Sequence, residues 1–180
     1  MEKKRKQSGD KFMRSADSER EFKQEVIDLA RVTRVMAGGK RMRFRACIAI
    51  GDGAGRVGIG VAKGADVTIA INKAATKARK HIVSVPIINA TIPYPIQEKY
   101  GSAIVLIKPA PVGTGIKAGG SMRIIFSLAG MPNIVGKILG ASNKINNVKA
   151  TINAIKKLRY IEVKQKDKKD QKSQEVISAV

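Results

Sequence analysis

The sequence predicts an α+β protein of two small domains. Three observations carry that expectation. Residues 41–64 alternate in a strand pattern, interrupted by an Asp-Gly pair. Residues 66–82 switch to a helical period with a lysine face. From Val83 onward strand and helix patterns alternate again, which suggests a second α/β domain. The 180 residues suffice for one domain or two small ones.

Residues 1–21 are polar and mixed in sign, opening with Lys3-Lys4-Arg5-Lys6, and read as a disordered extension. Residues 26–36 read as a strand. Val32, Arg34 and Met36 fall on one side, Leu29, Arg31 and Thr33 on the other. A helix over 19–31 is the alternative. Gly38-Gly39 makes a tight turn, crowded by Arg31, Arg34, Lys40 and Arg41.

In the next strand Arg41, Arg43 and Arg45 share one face, and Met42, Phe44, Ala46, Ile48 and Ile50 share the other. Asp52-Gly53 is a hairpin signal, because both residues tolerate positive φ. The returning strand has Val57, Ile59 and Val61 on an apolar face. Gly58 and Gly60 lie on the opposite face beside Arg56, where bare backbone marks a close approach by another backbone or a ligand. The hairpin is expected to present a guanidinium-rich face as a binding surface, with Gly53, Gly55, Arg56 and Lys63 taking part.

The helix over 66–82 would cover the sheet with Val67, Ile71, Ala74, Ala78 and Ile82. Lys73, Lys77 and Lys80, at i, i+4 and i+7, form another face. A sheet crossed by a basic helix resembles a design for binding double-stranded RNA. His81 reads as an ordinary helix-terminal residue.

Further on, 83–90 and 102–108 read as strands, with a proline-interrupted turn at 91–95 between them. Residues 113–121 read as a flexible glycine loop. A helix over 121–129 is stopped by Gly130 and Pro132. A short strand at 134–139 precedes a helix over 146–158, with Val148, Ile152, Ile155 and Leu158 inward. The charged segment 161–180 reads as a disordered tail.

Net charge is +21 at pH 7. It belongs to the foldable part, since residues 26–158 hold 21 Lys/Arg against 4 Asp/Glu. Such a surface repels itself until a polyanion neutralises it. Solubility needs far less charge. One cysteine and one histidine exclude an internal disulfide and a cysteine-rich or multi-histidine metal site. No run of 18 apolar residues suggests a membrane span, and no apolar leader follows the start, so a cytoplasmic protein is expected.

Two enzyme-like motifs fail on context. Gly53-x-Gly55-x-x-Gly58 matches a dinucleotide fingerprint, but its third glycine enters a strand rather than a helix. A kinase nucleotide loop would need catalytic and metal-binding aspartates downstream, yet after Lys63 the core holds only Asp66 and Glu98. The 113–120 loop lacks the Lys-Ser/Thr ending of a Walker A loop. Affinity for ATP or NAD at micromolar protein would revive a nucleotide-dependent enzyme. Flotation with anionic liposomes after nuclease treatment would revive a basic membrane-surface protein.

Four blocks carry a family resemblance. They are Gly38-Gly39-Lys40-Arg41-Met-Arg-Phe44, the glycine-rich stretch 51–64, Pro109-Ala-Pro-Val-Gly-Thr-Gly-Ile-Lys-Ala-Gly-Gly-Ser-Met-Arg123, and Gly140-Ala-Ser-Asn-Lys-Ile-Asn-Asn147. In this order and spacing they resemble the bacterial ribosomal protein S5 family, uS5, over about 22–158. Ile87-Ile88-Asn89-Ala90 departs from the Asn-Gly-Thr turn that many members have.

The resemblance implies a double-stranded-RNA-binding-like domain at 22–85 lacking that fold's first helix, and an S5 domain 2-like βαβα domain at 86–160. It implies a structural constituent of the small ribosomal subunit that is no enzyme, uses no cofactor or metal, and is neither membrane-bound nor a homo-oligomer. The implied partners are 16S rRNA and proteins S4 and S8, near the mRNA entry channel, with an effect on decoding accuracy. The Gly38-Gly39 tip would approach the spectinomycin-binding helix. Thr114, Gly115 and Arg123 would face S4.

Overall fold

The computed structural model describes residues 22–159. The predicted N-terminal extension and C-terminal tail lie outside them. The first half holds β1 (Lys23–Met36), β2 (Gly39–Gly51), β3 (Arg56–Gly64), α1 (Val67–Arg79) and β4 (Ile82–Ser84). Its four strands form an antiparallel sheet in the order β1-β2-β3-β4. The second half holds β5 (Ile96–Tyr100), β6 (Ala103–Pro109), β7 (Ile116–Lys117), α2 (Gly120–Leu128), β8 (Ile134–Ile138) and α3 (Lys144–Lys157). Its sheet runs β5-β6-β8-β7, and β7 and β8 are parallel, joined through α2. The α+β expectation holds.

The long alternation in β2 places Ala46, Ile48 and Ile50 against α1, as predicted. The helix meets them with Ala70, Ala74 and Ala78, a seam of small side chains at i, i+4, i+8. Gly58, Gly60 and Gly64 of β3 lie under this seam. A Cβ at Gly58 would sit 2.6 Å from the Ala78 carbonyl oxygen, and one at Gly60 would collide with that of Ala74. The close approach foreseen at these glycines is therefore made by helix backbone. Burying Ile48 and Ile50 stabilises the sheet–helix layer by about 1.5–3 kcal/mol each.

The opposite face of the sheet differs from the expectation. Beyond Arg45 it continues as Cys47 and Ala49, both buried in a larger core shared with the second half. Val57 joins that core, as do Met122, Ile125 and Phe126 of α2 and Val148 and Ile152 of α3. Between Val26 and Asp28 the β1–β2 register shifts by a bulge. The extra residue, Ile27, is only 7% exposed and packs into the shared core, whereas Val26 stays 44% exposed. Burial pushes the Cys47 thiol up to about 11, aided by the Asp28 carboxylate, so it is protonated and unreactive at neutral pH.

The glycine loop between β2 and β3 docks the two halves. Gly53 N–H donates to the Leu128 carbonyl at 3.0 Å, and Gly55 N–H to that of Ala129 at 2.9 Å. These are carbonyls that the end of α2 leaves unpaired. A Cβ at Gly51 or Gly130 would collide with the facing backbone.

Several boundaries move. No helix forms over 22–31, where β1 begins at Lys23. Helix α1 ends at Arg79, so Ile82 lies in β4 rather than on the helix. The strand predicted over 83–90 stops at Ser84. Beyond it, Ile88 and Thr91 exchange backbone hydrogen bonds of 2.9 and 3.0 Å around Asn89 (φ 49°) and Ala90 (φ 61°). The turn thus forms without the glycine, at a cost of about 1–2 kcal/mol for left-handed alanine. Strand β5 was not foreseen, because Ile96-Gln-Glu-Lys-Tyr100 has only two apolar residues. Helix α3 starts at Lys144, two residues early, because Asn143 caps it by accepting from the N–H groups of Ile145 and Asn146.

Candidate nucleic-acid interface

Residues directly opposite in an antiparallel ladder share a face. In β1–β2, Arg34 opposes Arg41 and Val32 opposes Arg43; in β2–β3, Arg45 opposes Lys63. Arg34, Arg41, Arg43 and Lys63 therefore stand on one face. With Val32 and Met36 they line a groove of about 280 Å³ with no carboxylate in its wall among the described residues. Like charges directly opposite on a sheet are destabilising.

The other two cations at the tip point elsewhere. Arg31 opposes Phe44 and Lys40 opposes Val35, which puts both on the reverse face, exposed. The tip is slim. Gly38 has φ 78°, Gly39 does not need positive φ, and a Cβ at either would meet nothing within 4 Å.

Arg45 is half-buried, and its Nη2 lies 3.4 Å from Asp28 Oδ2, the carboxylate that Lys144 Nζ also approaches at 3.7 Å. The ion pair gives it a structural role. Arg56 is not beside the arginine row. It sits at the far end of β3 on the α1 side, with Nε 2.6 Å from Asp52 Oδ2 and its guanidinium 5.7 Å from the Phe22 ring centroid. Partial burial would raise the Asp52 carboxyl, but the Arg56 side chain and the Ala54 and Arg56 N–H groups hold it below the usual range. Gly53 and Gly55 have their N–H groups turned to α2. The structure thus brings together four of the predicted residues, leaves Arg45 on the same face but tied to Asp28, and places Arg56, Gly53 and Gly55 away from them.

On α1, Lys73, Lys77 and Lys80 are exposed and share a shallow depression with Asn72 and Thr76. Lys77 Nζ reaches the Val61 carbonyl at 3.4 Å. His81 is exposed just past the helix.

The loop holding Thr114 and Gly115 is anchored rather than loose. Buried Asn133 accepts from Gly113 N–H at 3.0 Å and Gly115 N–H at 3.2 Å, and its amide donates to the Ala90 carbonyl. Arg123 stands on the first turns of α2 and lines a different feature, a groove shared with Glu25, Ile27 and Lys144.

Sequence reasoning missed Asn133, because a buried amide has no local signature. It also missed Lys149 and Lys156. Their signal was present, since both flank the apolar stripe of Val148, Ile152 and Ile155 on α3 and share one side of the helix at i and i+7.

Among the described residues no group of His, Cys, Asp and Glu could hold a metal ion, and no helix is long and apolar enough to cross a membrane. A two-sheet α+β scaffold with a cationic strand face and a lysine-faced helix has the electrostatic footprint of the nucleic-acid-binding class. Family models for the N-terminal and C-terminal domains of ribosomal protein S5 match residues 22–86 and 98–169. The small ribosomal subunit protein uS5 of Gloeobacter violaceus is 46% identical over 148 residues, covering 81% of this chain and 66% of the relative. The uS5c protein of Gracilaria tenuistipitata var. liui is 40% identical over 83% of this chain and 87% of its own length. That of Spinacia oleracea is 45% identical over 77% of this chain and 45% of its own length. The chain belongs to the ribosomal protein S5 (uS5) family of small-subunit proteins, which are structural proteins and not enzymes.

Proposed function

We propose that this protein holds 16S rRNA in the small ribosomal subunit through the β1–β2 hairpin face, with Arg34, Arg41, Arg43 and Lys63 on phosphates. The observation that carries the reading is the cross-strand pair Arg34–Arg41. Two guanidinium groups stand opposite each other beside a third, in a groove with no carboxylate in its wall among the described residues. An RNA backbone supplies the missing charge. Arg31 and Lys40 then flank the tip from behind, and Lys73, Lys77 and Lys80 form a second contact line on α1.

The finer assignments rest on the family resemblance. The tip at Gly38-Gly39 approaches the spectinomycin-binding helix, and Thr114, Gly115 and Arg123 face protein S4 near the mRNA entry channel, where they bear on decoding accuracy. Protein S8 is a further neighbour. The anchoring of the 113–115 loop by Asn133 supports this, because a fixed backbone suits a protein interface. Arg123 and that loop occupy separate features, so the S4 contact would be broad.

The test is binding of a 16S rRNA transcript. If about 6–10 phosphates are neutralised, affinity falls roughly 10³–10⁵ between 50 and 200 mM salt. Salt-independent binding would sink the reading. Crosslinks from residues 113–123 that reach only RNA would remove the S4 assignment alone.

A further inference from the structure

The two halves meet along a second groove, of about 270 Å³, between the open edge of β3 and helix α3. Strand β4 pairs with β3 only as far as Gly58. From Ile59 onward no described strand pairs with that edge, and Ile59 and Val61 line the groove with Ile152 of α3. Lys77 enters from α1, and Lys149 and Lys156 from α3.

Two of these ammonium groups are held in place by neutral partners. Lys149 Nζ lies 3.3 Å from the Tyr100 hydroxyl and 5.1 Å from that ring's centroid, and Lys77 Nζ donates to the Val61 carbonyl. Among the described residues no carboxylate lines the groove, and Glu98 on neighbouring β5 is paired with Lys157 at 2.6 Å. The charge is therefore positioned but not neutralised by the described residues.

We infer that this groove is a second RNA site, taking a phosphodiester backbone on Lys77, Lys149 and Lys156, with sugar and base edges against Ile59, Val61 and Tyr100. The inference rests on the RNA-binding reading above and extends it to α3. Continuity favours RNA over an acidic protein. Ile59, Val61 and Lys63 lie on the same face of β3, so the groove follows the hairpin cations along one strand, about 13 Å from Lys63 to Ile59. Lys77 also belongs to the lysine line of α1. One strand of RNA laid along this track would meet cations throughout.

The experiment measures binding of the full chain to a 16S rRNA transcript across about 50–200 mM salt. It compares the parent with Lys149→Gln/Lys156→Gln and with Arg41→Gln/Arg43→Gln. The groove variant should melt as the parent does, bind roughly tenfold more weakly near physiological salt, and show a log–log salt slope shallower by about 2. Parental affinity and slope in the groove variant, while the hairpin variant loses both, overturns this site and leaves the hairpin reading intact. Parental binding in both variants overturns the hairpin reading as well.

Lysine acetylation of the parent complex gives an answer that no folding defect can blur. Bound rRNA should shield Lys149 and Lys156, and full modification at saturating rRNA overturns the proposal. A groove variant with parental RNA affinity that no longer co-sediments with small subunits would assign the groove to an acidic protein segment and overturn it too.

Discussion

The β1–β2 hairpin is two structures in one pair of strands. Near its base both faces are covered, Ile48 and Ile50 by α1, and Cys47 and Ala49 by the second half. Near its tip both faces are open, with Arg34, Arg41 and Arg43 on one and Met42, at 51% exposure, on the other. In β2 the alternation runs unbroken through both. Burial at the base stabilises the fold, and like charge gathered on one face of the tip costs stability. Strand period sets which residues share a face, but not what lies over that face.

The largest expected break in this contrast is Ile48→Ala, which removes a fully buried side chain under α1. It should cost about 2–5 kcal/mol, whereas Phe44→Ala, four residues nearer the tip and half-buried, should cost about half as much. Equal losses in urea denaturation would show that the tip is packed after all.

Next comes Gly60→Ala, which drives a methyl into the Ala74 carbonyl and should cost about 3 kcal/mol or more by lifting α1. A denaturation midpoint like the parent's would mean that helix and sheet are less tightly seated than this.

At the tip, Gly38→Ala should cost about 1 kcal/mol because Gly38 holds a left-handed φ, while Gly39→Ala, and Gly39→Val too, should stay within about 0.5 kcal/mol. Gly39→Val should still disturb the subunit. Chemical probing of head nucleotides with and without spectinomycin checks this, and unchanged reactivity in subunits that contain the variant would reduce the tip to a surface turn.

The smallest stability effect belongs to Arg43→Ala, within about 0.5 kcal/mol or slightly stabilising, since like charge is relieved. Its RNA affinity should fall, with a salt slope shallower by about 1. Loss of cooperative melting in this variant would make Arg43 a packing residue.

Much of this was legible without tertiary structure. The alternation of arginines with Phe44, Ala46, Ile48 and Ile50, the lysine face of α1, and the closeness demanded by Gly58 and Gly60 all follow from local periodicity and the absence of Cβ atoms. Those are covalent properties of each segment.

What only tertiary structure decided is non-local. Ile27 turns inward through a bulge, Arg45 is taken by Asp28, and Arg56 by Asp52. The N–H groups of Gly53 and Gly55 go to α2 instead of a ligand. Lys149 and Lys156, nearly a hundred residues from β3, come to its open edge only because the two halves pack. No stretch of sequence encodes such pairings by itself, since each depends on which surfaces the rest of the chain brings into contact.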